Sequence, residues 1–253
     1  KPFSYAFAFN DNKQLHPGCW LIDEALKVTI DSKVWQPKNY DGRYLGHVQF
    51  RAALASSRNI PSVNLVQYMI DSTGHNDWLK NHVQRIGLDA THHISASLGA
   101  FEATPIQLAG AFTVFPNSGR DVRPAILQSV QSENGEDIYV EPTHSPKQVI
   151  DSQSAGMTLD MMREVIKSGT GRAASSFGAL GAIAGKTGTT NDAHDAWFVG
   201  FDDTYTVAVW VGFDEGKSLG LTGGQAALPT WSRFMSGLGT RPDEFKLPSG
   251  LIR

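Results

Sequence analysis

Cysteine and long apolar runs are nearly absent from this sequence, and each absence excludes a class of protein. The 253 residues contain a single cysteine, Cys19, so no internal disulfide can form. A lone thiol acts as a nucleophile only beside a histidine and in an activating environment. Cys19 lies in a turn-like sequence, so we expect it to have no catalytic role. No apolar run approaches the ~20 residues of a membrane-spanning helix.

An excess of charge of one sign is also absent. The 22 Lys and Arg residues against 25 Asp and Glu residues give a formal net charge of −3, which is not the cationic field of a nucleic-acid-binding protein. The start of the chain has neither a signal-peptide pattern nor an initiating Met. We therefore expect the chain to be a piece of a longer polypeptide.

The sequence that remains is that of a globular domain, because 253 residues with 41% hydrophobic content can bury a full core. Apolar spacing predicts helices over residues 2–9, 46–57, 77–86 and 152–167, from Pro61, from Thr104, and briefly over 231–235. Alternation predicts strands over residues 27–30, 125–130, 138–140, 181–189, 196–201 and 204–213. Helices first and strands later favour an α+β fold, with a domain over 1–240 and a polar tail over 241–253.

The most informative segment is Lys186-Thr187-Gly188-Thr189, which follows an apolar run predicted to be a buried strand. One cation, hydroxyl groups and a glycine that lets a ligand approach the backbone suit anion recognition. A phosphate loop would also end in Gly-Lys-Thr, but its leading glycine position holds Leu180 and no helix is predicted to follow. The pattern therefore favours recognition of an anion, but not of a nucleotide.

A second glycine-rich segment, Gly169-Thr170-Gly171, has Ala174 three residues on and resembles part of a dinucleotide-binding fingerprint. That fingerprint must follow a strand, whereas this segment follows the helix predicted over 152–167. We predict a turn that terminates the helix.

Three Ser-any-Asn triplets occur in the chain, and each alone is a weak signal, since Ser and Asn are common in caps and turns. They are Ser57-Arg58-Asn59, Ser62-Val63-Asn64 and Ser132-Glu133-Asn134. Only the first lies at a predicted helix end just before a proline-led helix. From these residues alone a cap or a turn is the favoured role for each triplet, and we predict that Ser132 lies on a hairpin turn.

Taken in order, several segments resemble the transpeptidase domain of class A penicillin-binding proteins, in which Ser-x-x-Lys, Ser-x-Asn and Lys-Thr-Gly elements recur. The resemblance covers Lys1 to about Met235. It is carried by Lys1-Pro2-Phe3-Ser4-Tyr5, the stretch 53–65 around Ser57-Arg58-Asn59, and Gly185-Lys186-Thr187-Gly188-Thr189-Thr190-Asn191, with support from Thr104-Pro105-Ile106, Gly169-Thr170-Gly171-Arg172 and residues 195–200. It implies an antiparallel sheet flanked by helices, as in serine β-lactamases.

The sequence departs from the family pattern at the first motif. No lysine has a serine or threonine three residues before it, and Lys1 matches the lysine of that motif. The resemblance therefore places the nucleophilic serine three residues before Lys1, outside this chain. As given, the polypeptide alone is not expected to form an acyl-enzyme.

The resemblance also implies roles in proton transfer. Lys1 would be the base that activates the missing serine, which requires a lysine pKa lowered by burial and by a second cation such as Lys186. Ser57 would relay a proton to the leaving amine, and Asn59 would orient Lys1 and the substrate amide.

By the same resemblance, Lys186, Thr187 and Thr189 would bind the terminal carboxylate of a D-Ala-D-Ala stem peptide, with Gly188 allowing close approach. The Thr189 N–H would form an oxyanion hole with that of the missing serine. No metal or other cofactor is implied. We expect the side chains of Lys1, Ser57 and Lys186 to line one cleft, and of the three Ser-any-Asn triplets only Ser57 to face it.

The resemblance implies a D,D-transpeptidase that cross-links peptidoglycan and is acylated by β-lactams. Its parent would be anchored at the outer face of the bacterial membrane by an N-terminal segment and would carry a preceding glycosyltransferase domain. A D,D-carboxypeptidase or serine β-lactamase, with water as acceptor, and a non-catalytic penicillin-recognising module remain alternatives from sequence.

Overall fold

The computed structural model describes residues 1–30, 32–239 and 244–251. In these residues the α-helices are α1 (Pro2–Asp11), α2 (Phe50–Ala55), α3 (Asn59–Thr73), α4 (Trp78–Gln84), α5 (Pro105–Phe112), α6 (Ser152–Lys167) and α7 (Ala227–Gly237). The strands there are β1 (Trp20–Asp23), β2 (Val28–Ile30), β3 (Lys33–Trp35), β4 (Gly46–Gln49), β5 (Ser129–Gln131), β6 (Asp137–Val140), β7 (Ala184–Thr189), β8 (Asp195–Phe201) and β9 (Thr206–Gly212). None of the helices described is long and apolar enough to cross a bilayer.

The central sheet is antiparallel and has the order β7-β8-β9, so β7 lies at an edge. Side chains alternate across it because successive residues of a strand point to opposite faces. Phe201 packs in the larger core with α1, α3 and α6, whereas Phe198 packs on Trp231 of α7, with ring centroids 4.9 Å apart. Helices thus cover both faces of the sheet, and the predicted α+β class is confirmed.

Helix α1 is buried on every side, which is typical of a helix with an apolar sequence all round. Its side chains from Pro2 to Phe9 are buried, and Phe3 contacts both Phe112 and Phe115. Pro2 occupies the first turn, where a missing N–H costs nothing. The packing fixes Lys1 at the N-terminal end of the helix.

One predicted helix begins too early. Residues 46–49 form β4, which pairs with β1 through Val48 opposite Leu21, and α2 starts only at Phe50. The prediction was wrong there because a single apolar residue, Val48, satisfies a strand's alternation as well as a helix's spacing. Strands β1 and β3 were missed, and α7 is longer than the predicted 231–235.

Two other predictions concern the hairpin and the chain end. Strands β5 and β6 form the predicted hairpin, with Ser132 in its turn. Part of the tail predicted over 241–253 lies outside the described residues, and so does residue 240. In the described part, Phe245 is buried and packs edge-on against Phe201, so this stretch contacts the core.

Candidate active site

A cleft of ≈ 2200 Å³ lies beside the free edge of β7. Its walls come from the N-terminal end of α1, the junction between α2 and α3, and β7. The residues predicted from sequence that line it are Lys1, Ser57, Asn59, Lys186, Thr187, Gly188 and Thr189. The prediction that Lys1, Ser57 and Lys186 share one cleft is therefore confirmed.

Lys186 joins two walls of this cleft. Its buried ammonium donates to Ser57 Oγ at 2.8 Å, to the Thr187 carbonyl oxygen at 2.9 Å and to Thr187 Oγ1 at 3.3 Å. An ammonium has three donors and no acceptor, so these three oxygens match its capacity. Contact between residues 129 positions apart brings the second and third sequence motifs together at one point.

Ser57 lies in a sharp turn between α2 and α3. Its φ of +57° is in the left-handed region, which costs a non-glycine residue about 1–2 kcal/mol. The turn is closed by hydrogen bonds from Ser57 N to Leu54 O at 3.1 Å and from Arg58 N to Ala53 O at 2.9 Å. The hydroxyl accepts from Lys186 and keeps its own proton available for donation.

A buried polar network, which sequence reasoning missed, holds this turn in place. Arg58 Nε donates to Asp23 Oδ2 at 2.9 Å, and both side chains are almost fully buried. Arg58 Nη1 donates to the more exposed Asp41 at 2.8 Å, and a further guanidinium N–H donates to the Arg43 carbonyl oxygen. Buried charges need such pairing. The residue between Ser57 and Asn59 is therefore a structural anchor.

Asn39 completes the network by capping α3 from another part of the chain. Its Oδ1 accepts from Asn59 N at 2.8 Å and from Ile60 N at 3.2 Å, two donors of the first turn that have no partner inside the helix. Its Nδ2 donates to Asp23 Oδ1 at 2.6 Å. Asn39 and Asp23 lie far from the motif in sequence, so no local pattern could have indicated them.

Asn59 lines the cleft, but the amide nitrogen of its side chain already has a hydrogen-bond acceptor. Its Nδ2 donates to the Lys38 carbonyl oxygen at 2.7 Å, and within the described residues no hydrogen bond joins it to Lys1. The predicted orientation of Lys1 by Asn59 stays a prediction. The amide oxygen has capacity to accept a hydrogen bond from a ligand.

Both cleft lysines have lowered pKa values. Burial lowers the pKa of the Lys1 side chain to about 8. Burial, and then the charge of Lys1, lower the pKa of Lys186 well below its ordinary value. Lys186 has three oxygen acceptors, whereas among the described residues Lys1 has none for its side chain. The geometry thus suits Lys186 to hold a proton and Lys1 to be the neutral amine.

The free edge of β7 presents donors to the cleft. Thr187 and Thr189 are two residues apart and so share a face of the strand. Thr189 Oγ1 accepts from Gly223 N at 3.0 Å, which leaves its hydroxyl proton free. Thr190 N donates towards β8, to Asp195 O at 3.1 Å, and because N–H groups alternate, Thr189 N points to the unpaired edge.

The other readings of these motifs are not supported. Ser62 Oγ donates to Arg58 O at 2.9 Å inside the core, and Ser132 lies in the exposed hairpin turn, so among the three triplets only Ser57 faces the cleft, as predicted. Lys186 lies within a strand, not before a helix, which excludes a phosphate loop. Gly169-Thr170-Gly171 is the predicted turn after α6.

Comparison with known sequences identifies the domain. The family model described as the penicillin binding protein transpeptidase domain matches residues 1–236. The chain is 40% identical over 236 residues to penicillin-binding protein 1A of Aquifex aeolicus, covering 90% of this chain and 31% of that protein. It is 34% identical to penicillin-binding protein 1A of Neisseria lactamica, covering 100% and 32%. The chain thus spans about a third of the length of these curated relatives.

Solved structures agree on the fold. The crystal structure of penicillin-binding protein 1A from Haemophilus influenzae superposes with a TM-score of 0.84 at 27% identity, covering 98% of this chain and 42% of that one. The PonA1 protein of Mycobacterium tuberculosis, solved in complex with penicillin V, gives a TM-score of 0.78 at 20% identity, with coverages of 98% and 70%. The resemblance read from the sequence is confirmed: this chain belongs to the family of penicillin-binding protein transpeptidase domains.

Proposed function

We propose that this domain catalyses D,D-transpeptidation of peptidoglycan stem peptides through a serine acyl-enzyme, and that β-lactams acylate the same serine. The observation that carries the proposal is the 2.8 Å contact between Lys186 Nζ and Ser57 Oγ in the cleft that Lys1 also lines. The serine is the residue three positions before Lys1 in the longer protein. On a helix continued from α1 it would lie on the same face as Lys1.

Acylation begins with proton transfer to Lys1. The neutral Lys1 amine takes the proton of the serine hydroxyl as its oxygen attacks the carbonyl carbon of the penultimate D-Ala. The Thr189 N–H on the free edge of β7 stabilises the oxyanion of the tetrahedral intermediate, a contribution worth about 2.7–4 kcal/mol in known cases. The C–N bond then breaks, and the terminal D-Ala leaves as an amine that has received a proton from Ser57.

Lys186 takes part in both substrate binding and the proton relay. With the Thr187 and Thr189 hydroxyls it binds the terminal carboxylate, and its hydrogen bond to Ser57 fixes which way that hydroxyl donates. The Lys1 ammonium then gives a proton to the Ser57 oxygen, which restores the Ser57 hydroxyl. An acceptor amine from a second stem peptide then attacks the ester carbonyl carbon, and Lys1 takes the proton that the amine loses. As the bond between the acyl carbon and the serine oxygen breaks, Lys1 passes this proton to the serine oxygen and the hydroxyl is regenerated.

The cleft is large enough to hold peptide chains. At ≈ 2200 Å³ it exceeds the roughly 300–1,000 Å³ of sites for small ligands, so two peptide branches have room. The match of the transpeptidase family model to residues 1–236 supports transpeptidation over a carboxypeptidase or β-lactamase activity. The substrate lies outside the cytoplasmic membrane, so we place the parent protein at that face, anchored by an N-terminal segment and joined to a glycosyltransferase domain.

Labelling with a fluorescent penicillin tests the proposal in the longer protein. We expect one covalent label per molecule, lost when the serine three residues before Lys1 is replaced by alanine. Because a β-lactamase would hydrolyse its acyl-enzyme quickly, the label should persist for many minutes. A protein that takes up no label, or that keeps it after the serine is replaced, would refute the proposed mechanism.

The pKa of Lys1 predicts how acylation depends on pH. Since burial lowers this pKa to about 8, the neutral amine that accepts the serine proton gains population as pH rises through that value. We expect the acylation rate constant at saturating β-lactam to rise about tenfold per pH unit below that pKa and to level off above it. Stopped-flow measurements from about pH 6 to about pH 9.5 would resolve the midpoint.

The matched control for this profile is Lys1→Arg, because a guanidinium stays charged throughout that range. Its acylation should be slow and should show no rise. If the unsubstituted protein gave a flat profile, or a rise only near the ordinary lysine pKa, Lys1 would not be the base.

A further inference from the structure

Thr170 is held rigidly against the cleft, although the proposed mechanism does not use it. It follows α6, and its backbone N–H donates to Ala55 O at 3.1 Å, at the end of the helix that precedes Ser57. A Cβ on Gly169 would come within 2.2 Å of that same oxygen, so only glycine permits this approach. The segment is therefore fixed to the element that positions Ser57.

The Thr170 hydroxyl lies at the end of a chain of hydrogen bonds that starts at Lys186. Its Oγ1 is 2.6 Å from Thr187 Oγ1, and Thr187 Oγ1 accepts from the Lys186 ammonium at 3.3 Å. An ammonium can only donate, so the proton of Thr187 has to point elsewhere. Either hydroxyl can donate across the 2.6 Å contact, but only donation by Thr170 leaves the Thr187 proton for a carboxylate.

This direction gives Thr187 Oγ1 two donors, Lys186 and Thr170, and leaves the proton of Thr187 for a ligand. Thr170 is exposed and lines the cleft, and in the described part of the chain its hydroxyl has Thr187 as its sole hydrogen-bond partner. A hydroxyl that accepts a hydrogen bond becomes a better donor, because neighbouring hydrogen bonds polarise one another. Thr187, which accepts from Lys186 and from Thr170, thus presents a polarised O–H to the place where an anion would meet Lys186.

We propose that Thr170 is a positioning residue, whose hydroxyl donates to Thr187 Oγ1 and so directs the Thr187 proton to the terminal carboxylate of the stem peptide or β-lactam. The inference rests on the proposed function and extends its anion site from β7 to the turn after α6. It assigns this turn a part in carboxylate binding, through Thr187, in addition to its role in ending the helix. A hydrogen bond from a hydroxyl to a carboxylate is among the stronger ones in proteins, which sets the scale of the expected effect.

The test compares benzylpenicillin with its methyl ester, which lacks the carboxylate charge, in the longer protein that carries the serine. For Thr170→Val we expect the second-order acylation constant for the acid to fall about tenfold and that for the ester to change less than about twofold. Thr170→Ser, which restores the hydroxyl, should recover most of the loss. Thr91→Val, a change at another exposed threonine of the cleft, should leave both constants unaltered.

Equal losses with acid and ester in Thr170→Val would show a structural effect and overturn the inference, as would no loss with either. Failure of Thr170→Ser to recover the acid-specific loss would also overturn it. If the unsubstituted protein were not acylated by either compound, the proposed function itself would fail. The two failures are thus distinguishable.

Discussion

Lys186→Ala is expected to reduce both the noncovalent affinity for a β-lactam and the rate constant of acylation, together by about 10²–10⁴-fold. The change removes a buried ammonium from the carboxylate site and also removes the donor to Ser57 Oγ at 2.8 Å. Each hydrogen bond to a charged group is worth about 1.5–3 kcal/mol, and two such roles are lost. Stopped-flow labelling of the longer protein over a range of chromogenic β-lactam concentrations would separate the two parameters.

The matched control is Lys38→Ala, which removes an exposed lysine that lines the same cleft. Because solvent and salt screen an exposed charge, we expect changes of less than about twofold. A loss as large as that of Lys186→Ala would mean that the general charge of the cleft matters, not the geometry at Lys186.

Ser57→Ala separates the two roles of Lys186. The Ser57 hydroxyl acts on protons and not on the carboxylate, so this variant should slow acylation and keep most of the noncovalent affinity. A group engaged only in the transition state lowers the rate constant, whereas a ground-state contact also changes apparent binding. If Ser57→Ala were acylated at the parent rate, Ser57 would be a helix-end residue with no part in the proton relay.

The elements that the sequence predicted best carry their own boundary signals. Helix α6 begins and ends at the predicted residues because Asp151 caps its first turn, accepting from Ser154 N at 2.9 Å, and its apolar positions recur at helical spacing. The hairpin of β8 and β9 turns at Asp202, as predicted. Strand β4 was predicted as part of a helix. Its partner β1 lies 20 or more residues away in the sequence, so the pairing leaves no local signal.

The residues of the candidate site also differ in whether a local sequence pattern indicates them. The order of the motifs was enough to predict that Lys1, Ser57 and Lys186 line one cleft, because each lies in a short segment with a recognisable pattern. Asp23 and Asn39 could not be found, because their partners are set by the way separate loops pack around Arg58. Thr170 was noticed only as part of a turn, and its contact with Thr187 depends on a third element, the end of α2.

Asp23→Ala should be among the most destabilising single changes in the domain, by about 3–5 kcal/mol. The carboxylate is fully buried and accepts hydrogen bonds from Arg58 Nε, Asn39 Nδ2 and Leu45 N. Removing it leaves the buried guanidinium of Arg58 without its principal counter-charge. One N–H of the Asn39 amide, whose nitrogen also donates to Arg43 O, and the Leu45 backbone N–H lose their acceptor. For a domain of this size the loss corresponds to a decrease in Tm of roughly 10 °C, measurable by calorimetry or thermal circular dichroism.

Asp41→Ala is the control, because Asp41 contacts the same guanidinium at 2.8 Å but is 46% exposed. Water can replace its carboxylate, so the decrease in Tm should be a small fraction of that for Asp23→Ala. Asp23→Asn, which keeps the shape and one acceptor oxygen, should lie between the two. If Asp23→Ala and Asp41→Ala lowered Tm equally, burial of the ion pair would not be what holds the turn at Ser57. If neither lowered it, the left-handed conformation of Ser57 would have to be held by the hydrogen bonds that Ser57 N and Arg58 N make to α2 alone.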